Sequence, residues 1–328
     1  MDRTRSMRQA IGLDDVFGQR ARRLRRLQSR LLGIYAEAGY AEVIPPIAER
    51  PESLSSGAGR FLSDQTVVFS DPAGAGLLAI RPDMTPQIAR IAATRLRSQE
   101  ELRLCYSGPV MLARPDHRSG SRQQWQTGVE LMGVAGHEAD EEIMHLAALS
   151  MQQAGFSSPL LQVGHLGLLR ALVDGSGTPL EAWSEILSRR SPEDMRQQLQ
   201  AGGLADERGQ ALMDMAAGAA DQSWLESNMT HHGDAFEACA RDLASLVNTV
   251  NQRLAGEVEI HVDAAVMPRF LYHSGIVFSG FVAGAPQALL HGGRYETMMH
   301  SQGRDMPATG FSFDLFAWLD AQSVPQSN

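Results

Sequence analysis

The chain has 328 residues, 43% apolar and 20% charged, which at ~150 residues per domain gives about two domains with cores that need no disulfide or metal. All 29 basic residues are arginine, and a sequence without lysine excludes a Walker-type phosphate loop, a pyridoxal Schiff base and lysine-nucleophile chemistry. A net charge of -9 and a pI near 5.6 argue against a surface built to coat nucleic acid.

Cys105 and Cys239 stand far apart with no Cys-x-x-Cys and no metal-ligand spacing, as expected of thiols in a reducing compartment. The first twelve residues carry charges without an apolar segment, and no run approaches the ~18 apolar residues of a membrane span. A cytoplasmic protein with no membrane partner is expected.

Apolar residues at three- and four-residue steps predict a helix from Phe17 to Ala38. The six arginines between Arg20 and Arg30 read as a solvated helix face with acidic partners rather than a nucleic-acid patch. Gly39 ends that helix, and a short strand from Ala41 to Ile44 stops at Pro45-Pro46. Thr66–Ser70 and Leu77–Arg81 form a predicted hairpin. The loop Arg81–Pro86 then opens a helix to about Arg97, with Thr85 as cap and Pro86 as first helical residue. Strands follow at Leu102–Leu112 and Gln124–Gly133, a helix at Glu138–Ala154 and a strand at Leu160–His165. The segment 177–254 is polar and helical in period. Strand-like runs return at Val258–Val266, Gly275–Ala283 and Ala288–Leu290. Gly292-Gly293 reads as a turn, and the last helix is expected at Phe311–Asp320. Strands beside hairpins with helices grouped between them predict an α+β fold on an antiparallel sheet.

No metal constellation emerges. His231-His232 and His261-x-Asp263 are isolated, and His137-Glu138 lacks the second histidine of a zinc hydrolase. No cofactor or metal is expected. The informative residues are polar ones at strand ends: Asp83 and Thr85 in the Arg81–Pro86 loop, and Gln126 and Glu130 on one strand. Residues four apart on a strand share a face, which Gln124 and Gly128 share too. A carboxylate there needs a partner, either an internal arginine or a ligand ammonium or imidazolium.

Gly39-Tyr40 through Val43-Ile44-Pro45-Pro46 resembles motif 1 of class II aminoacyl-tRNA synthetases. Leu78–Thr85 resembles the Arg-Pro-Glu-Gly-Thr loop of histidyl-tRNA synthetase. Tyr106–Val110 and Arg122–Glu130 resemble its motif 2 hairpin, Tyr272–Phe278 its Tyr-Tyr-Thr-Gly motif, and Gly292–Tyr295 its Gly-Gly-Arg-Tyr block. The departures matter as much. Met111-Leu112 stands where motif 2 has Phe-Arg, and Asp314-Leu315-Phe316-Ala317 where motif 3 has Gly-Leu-Glu-Arg. The arginine before the Tyr-Tyr pair falls near Pro268, beside Arg269. Losing one such stabiliser of phosphoryl charge typically costs ~10²–10³ in rate. The resemblance also implies that the anticodon-binding domain is missing.

This pattern, with Asp83 and Met84 in the loop and Val163-Gly164-His165-Leu166-Gly167 downstream, resembles the regulatory subunits of short-form ATP phosphoribosyltransferase, paralogues of histidyl-tRNA synthetase. The resemblance implies a class II synthetase-like, mainly antiparallel sheet of six or seven strands flanked by helices. It divides the chain into core residues 1–176, a small helical insertion at 177–254 and core residues 255–328. It further implies a non-catalytic subunit that forms homodimers. These would assemble with the transferase's catalytic subunit, activate it and relay inhibition by L-histidine. Asp83, Thr85, Gln126, Glu130, Tyr272 and His273 are then the candidate histidine-binding residues. Two alternatives are a stripped synthetase paralogue that still activates or transfers an amino acid, opposed by Leu112 and Ala317, and a sensor of tRNA-like RNA, opposed by the charge.

Overall fold

The computed structural model describes residues 10–55, 62–74, 76–116, 120–156, 159–202, 204, 207–254, 258–268, 273–283, 285, 287–295 and 303–322. The chain forms two compact units. The first comprises 1–133, 297–306 and 312–328, and the second 134–296 and 307–311.

In the first unit, α1 (Gly18–Glu37) buries Leu24, Leu27, Leu31 and Tyr35, the stripe that the periodicity predicts. Its end is a Schellman closure: the Gly39 N–H donates to the Ala36 carbonyl at 3.0 Å and the Tyr40 N–H to that of Tyr35 at 2.8 Å. Gly39 sits at φ +88°, where a side chain is strained. β1 (Ala41–Glu42) then pairs in parallel with β5 (Leu102–Met111). β2 (Ala48–Glu49), α2 (Pro51–Ser55), β3 (Val67–Ser70) and β4 (Leu77–Ile80) follow, and the strands make a small antiparallel sheet in the order β2-β4-β3. α3 spans Thr85–Thr94, one residue earlier than expected, because Met84 rather than Thr85 occupies the N-cap. β5 and β6 (Gln123–Met132) form the long antiparallel hairpin of this unit, with Tyr106 opposite Gly128 and Leu104 opposite Glu130.

The second unit holds α4 (His137–Gln153), β7 (Leu160–His165) and α5 (Leu166–Val173), then α6 (Leu180–Arg189), α7 (Pro192–Gly202), α8 (Glu207–Ala216), α9 (Gln222–Asn228) and α10 (Asp234–Arg253). Its strands β8 (Glu259–Val262), β9 (Ile276–Phe281) and β10 (Leu290–Arg294) join β7 in the order β10-β9-β7-β8. β7 and β8 are parallel, and a parallel pair needs a long crossover. The helices α5–α10 supply it, around buried Trp183, Leu212, Phe236, Leu243 and Val247.

Two expectations are corrected here. Gly292-Gly293 is not a turn but lies within β10, opposite Phe278 and Val277. A β-carbon on Gly292 would meet the Phe278 ring at 2.3 Å, and one on Gly293 the Ile276 carbonyl at 2.4 Å, so these glycines permit close approach within a sheet. The last helix is α11 (Leu315–Ala321). It is preceded by β11 (Ala308–Asp314), so Phe311–Asp314 is strand. Phe311 and Phe313 alternate with Ser312, a strand period, and the Asp314 carboxylate caps the helix by accepting the Phe316 N–H at 3.0 Å. Among the described residues no helix is long and apolar enough to cross a membrane.

Candidate functional site

The polar face of β6 becomes a connected network in the first unit. Asp83, Thr85, Gln126 and Glu130 are all buried, at 3%, 3%, 8% and 2% exposure. Asp83 Oδ1 accepts the Thr85 N–H at 2.9 Å and the Gln126 side-chain amide at 2.8 Å. The other Gln126 contacts fix the amide's orientation. Its Oε1 accepts the Met84 N–H at 2.8 Å, and its Nε2 also donates to Ser312 Oγ at 3.2 Å. A flipped amide would turn oxygen toward the Asp83 carboxylate and nitrogen toward an N–H.

A second branch runs through Tyr106. Its hydroxyl donates to Glu130 Oε1 at 3.0 Å and lies 3.1 Å from Thr85 Oγ1. A hydroxyl carries one hydrogen, so Thr85 donates to Tyr106 while Tyr106 donates to Glu130. The Thr85 hydroxyl therefore keeps its lone pairs available. Asp83 Oδ2 has no hydrogen-bond partner among the described residues. The site thus presents Asp83 Oδ2 and the Thr85 hydroxyl as acceptors, beside the Glu130 carboxylate that Tyr106 holds. Such a set matches a cationic or multiply protonated ligand.

The flanks of the network are rigid. Arg81 is buried and donates to the Pro109 carbonyl at 2.9 Å and the Pro45 carbonyl at 2.9 Å. Burial lowers its pKa, opposed by the charge of Glu49. Gln87 donates to the Pro46 carbonyl and to Glu49, whose carboxylate also takes Arg90. These bonds tie the Arg81–Pro86 loop and α3 to the Pro45-Pro46 turn. On the opposite face of β6, Trp125 Nε1 donates to Ser107 at 3.1 Å, and Arg25 of α1 stacks over the indole at 4.7 Å. That is one cationic side chain of the Arg20–Arg30 cluster with a structural partner. Arg20, paired with Asp320, is another.

Where motif 2 carries its arginine, Leu112 is buried at 3% exposure, its N–H donating to the Arg122 carbonyl at 2.8 Å. Ala317, at the motif 3 position, lies within α11. His273 belongs to the second unit, buried at 6% exposure, with its carbonyl accepting the Arg170 guanidinium at 3.0 Å. Tyr272 and Arg269 lie outside the described residues. Tyr106 and Ser312 are the members of the network that the sequence reading missed. The available signal was that Tyr106 falls opposite Gly128, where the absence of a side chain leaves room for a ring. Among the described residues no group of three or more His, Cys, Asp or Glu side chains is arranged to hold a metal ion.

Comparison with known proteins now adds to this geometry. The family model for histidyl-tRNA synthetase matches residues 12–317. The ATP phosphoribosyltransferase regulatory subunit of Alkalilimnicola ehrlichii is 35% identical over 316 residues, spanning 93% of this chain and 77% of the relative. The chain belongs to the family of ATP phosphoribosyltransferase regulatory subunits, built on the histidyl-tRNA synthetase fold. A second member of this family, from Burkholderia thailandensis, is 37% identical over 304 residues, covering 92% of this chain and 78% of that one. In three dimensions, the crystal structure of an ATP phosphoribosyltransferase regulatory subunit/histidyl-tRNA synthetase from Bacillus halodurans superposes with a TM-score of 0.84 at 23% identity. It covers 97% of this chain and 84% of that chain. Histidyl-tRNA synthetase from Nostoc shares the fold at a TM-score of 0.80 and 16% identity, over 96% of this chain and 74% of that one. The class II α+β fold is therefore the fold of this chain. Beside its antiparallel pairings, β1 with β5 and β7 with β8 are parallel.

Proposed function

We propose that this chain assembles with a short-form ATP phosphoribosyltransferase catalytic subunit in the cytoplasm, activates it, and relays inhibition by L-histidine without catalysing any reaction itself. The observation that carries the reading is the buried acceptor network of Asp83, Thr85, Gln126, Tyr106 and Glu130 beside a motif 2 position filled by Leu112. Free histidine brings a permanent ammonium and a titrating imidazole. The ammonium suits Asp83 Oδ2 and the Thr85 hydroxyl, with Gln126 holding Asp83 in register. The ring suits Glu130, whose negative charge favours the imidazolium. The resemblance alone adds Tyr272, which lies outside the described residues, and His273 of the second unit as candidates. A neutral Leu112 gives developing phosphoryl charge no stabiliser, so the reading assigns no adenylation.

The relatives' name, regulatory subunit, implies a catalytic partner for those proteins. The proposal extends that partner to this chain. It also keeps the helical segment 177–254 as an insertion between core segments 1–176 and 255–328. A homodimer through the region from Phe17 to Ile47 has support in the first unit, where Phe17, Ile44 and Ile47 are exposed at 80%, 83% and 57%. Large apolar side chains left exposed along one such segment are the kind of surface that an isologous dimer covers.

Titration calorimetry with L-histidine tests the site. A charge-assisted hydrogen bond contributes ~1.5–3 kcal/mol, so Glu130→Gln and Asp83→Asn are each expected to weaken binding roughly ten- to a hundredfold. Parent-like affinity in both variants would move the ligand elsewhere.

A further inference from the structure

Arg81 is 3% exposed, and its guanidinium is bonded on one side to main-chain carbonyls. Nε donates to Pro109 at 2.9 Å, and Nη1 donates to Pro45 at 2.9 Å and to Pro46 at 3.5 Å. Nη1 also reaches Gln87 Oε1 at 3.4 Å. Nη2, with two hydrogens, has no hydrogen-bond partner among the described residues. Its position is marked by Gly108 of β5, where a β-carbon would fall 2.7 Å from Nη2. Gly108 lies opposite Gln126 in the hairpin, and Tyr106 opposite Gly128, so a side chain at 108 would stand on the face that carries Tyr106, Gln126 and Glu130. Nη2 therefore fills the space over Gly108 on the network's own face. A second buried group on that face is uncommitted. Gln124 is 8% exposed, lies opposite Val110, and its side-chain amide has no hydrogen-bond partner among the described residues. Glu49, the acidic group whose charge reaches Arg81, is already taken by Arg90 and Gln87. A buried guanidinium keeps its charge, so Arg81 brings a cation without a carboxylate of its own to a face whose acceptor is Asp83 Oδ2.

We propose that Arg81 Nη2 and the Gln124 amide anchor the carboxylate of an α-amino acid, so that the site recognises the zwitterion, with the ammonium at Asp83 Oδ2 and the Thr85 hydroxyl. This rests on the reading of the network as the histidine site and supplies the donors that its acceptors lack. A carboxylate set among Asp83, Thr85 and Glu130 alone would meet like charge, whereas a guanidinium N–H pair and an amide N–H are the donors that carboxylates take. The two halves adjoin. Arg81 and Asp83 are two residues apart in one loop, and Gln126 ties them together: its amide donates to Asp83 Oδ1, while its backbone stands opposite Gly108. Leu112 brings no charge to the hairpin, and the cation reaches the face from the loop instead. A site built this way rejects an amine or an alcohol that lacks the carboxylate, because Arg81 would stay buried and unpaired.

Titration calorimetry of the full chain compares L-histidine with L-histidinol, which keeps the ammonium and the imidazole but carries an alcohol in place of the carboxylate. The parent is expected to bind histidine at least about tenfold more tightly than histidinol. Gln124→Leu removes an amide that bonds nothing else among the described residues, and Gly108→Ala puts a methyl group against Nη2. Each is checked for parent-like circular dichroism. Both are expected to erase most of the preference by weakening histidine binding while histidinol binding stays at the parent's level. Asp83→Asn, on the ammonium side, is expected to weaken both ligands alike. Equal affinity of the parent for the two ligands, both weakened by Asp83→Asn, would overturn the carboxylate anchor and leave the histidine site standing. A preference unchanged in either folded variant, Gln124→Leu or Gly108→Ala, would also overturn the anchor. A parent that binds neither ligand would overturn the anchor and the histidine site together.

Discussion

Tyr106→Phe isolates one hydroxyl at the centre of the candidate site. The ring is fully buried, and phenylalanine preserves its volume, so packing is retained while the hydroxyl's bonds to Thr85 and Glu130 vanish. Thr85 Oγ1 loses its acceptor at 3.1 Å and Glu130 Oε1 loses its donor at 3.0 Å. A hydrogen bond to a buried carboxylate contributes ~1.5–3 kcal/mol, and the Thr85 bond, between neutral groups, about 1 kcal/mol more. The variant should therefore lose about 2.5–4 kcal/mol of stability, measured by urea unfolding of parent and variant at pH 7. Glu130→Gln removes the charged acceptor of the same bond. The double variant should fall short of the sum of the singles by at least ~1 kcal/mol, since groups in one network are not additive. A Tyr106→Phe loss within about 0.5 kcal/mol, the range of an ordinary surface substitution, would refute the bonding scheme derived for this network.

The Asp242 cluster predicts a specific pH dependence. Asp242 of α10 lies 3.6 Å from His165 Nε2 and 2.7 Å from His137 Nε2, and these two rings, against burial, hold its carboxyl down to about 2. Its stabilisation is present above the unfolded value of ~3.9 and is lost as pH falls toward 2, so Asp242→Asn should flatten the acid limb of the urea midpoint against pH. For His165, burial opposes the charged ring, but Asp242 and Cys239 outweigh it and raise the pKa to about 9. That contribution is present below ~6.5 and lost as pH rises through 9, so His165→Gln should flatten the alkaline limb; curves parallel to the parent's would contradict either claim. Ile44→Asp puts a charge on a residue 83% exposed in the proposed dimer face, and sedimentation should shift from dimer toward monomer without loss of fold. An unchanged dimer would place the interface elsewhere.

Much of the first unit was legible because its elements have clean periods. The α1 stripe recurs at helical steps, and the hairpin strands of β5 and β6 are bounded within a residue or so of their expected ends. The α5 helix was not legible. The strand was expected to end at His165, as it does, but Leu166–Val173 is apolar on every side except at Arg170, so no helical stripe stands out from it. The glycines of β10 were misread because glycine marks turns locally, whereas here it answers Phe278 and the Ile276 carbonyl across the sheet. In the candidate site, the shared face of Gln126 and Glu130 follows from strand alternation. The bond from Gln126 to Asp83 spans 43 residues, and the role of Tyr106 depends on hairpin register. Neither is a property of a local window. The choice between an internal arginine and a ligand for Glu130 likewise turns on long-range geometry, and the Tyr106 hydroxyl is one partner that neither alternative named.

The most direct test of the regulatory account is the steady-state turnover of a separately purified short-form catalytic subunit, titrated with this chain and then with L-histidine. Turnover is expected to rise saturably with the parent chain and to fall on adding histidine. With the Asp83→Asn chain it should rise equally but resist histidine at concentrations that inhibit the parent complex. Turnover unchanged at saturating chain would contradict the account.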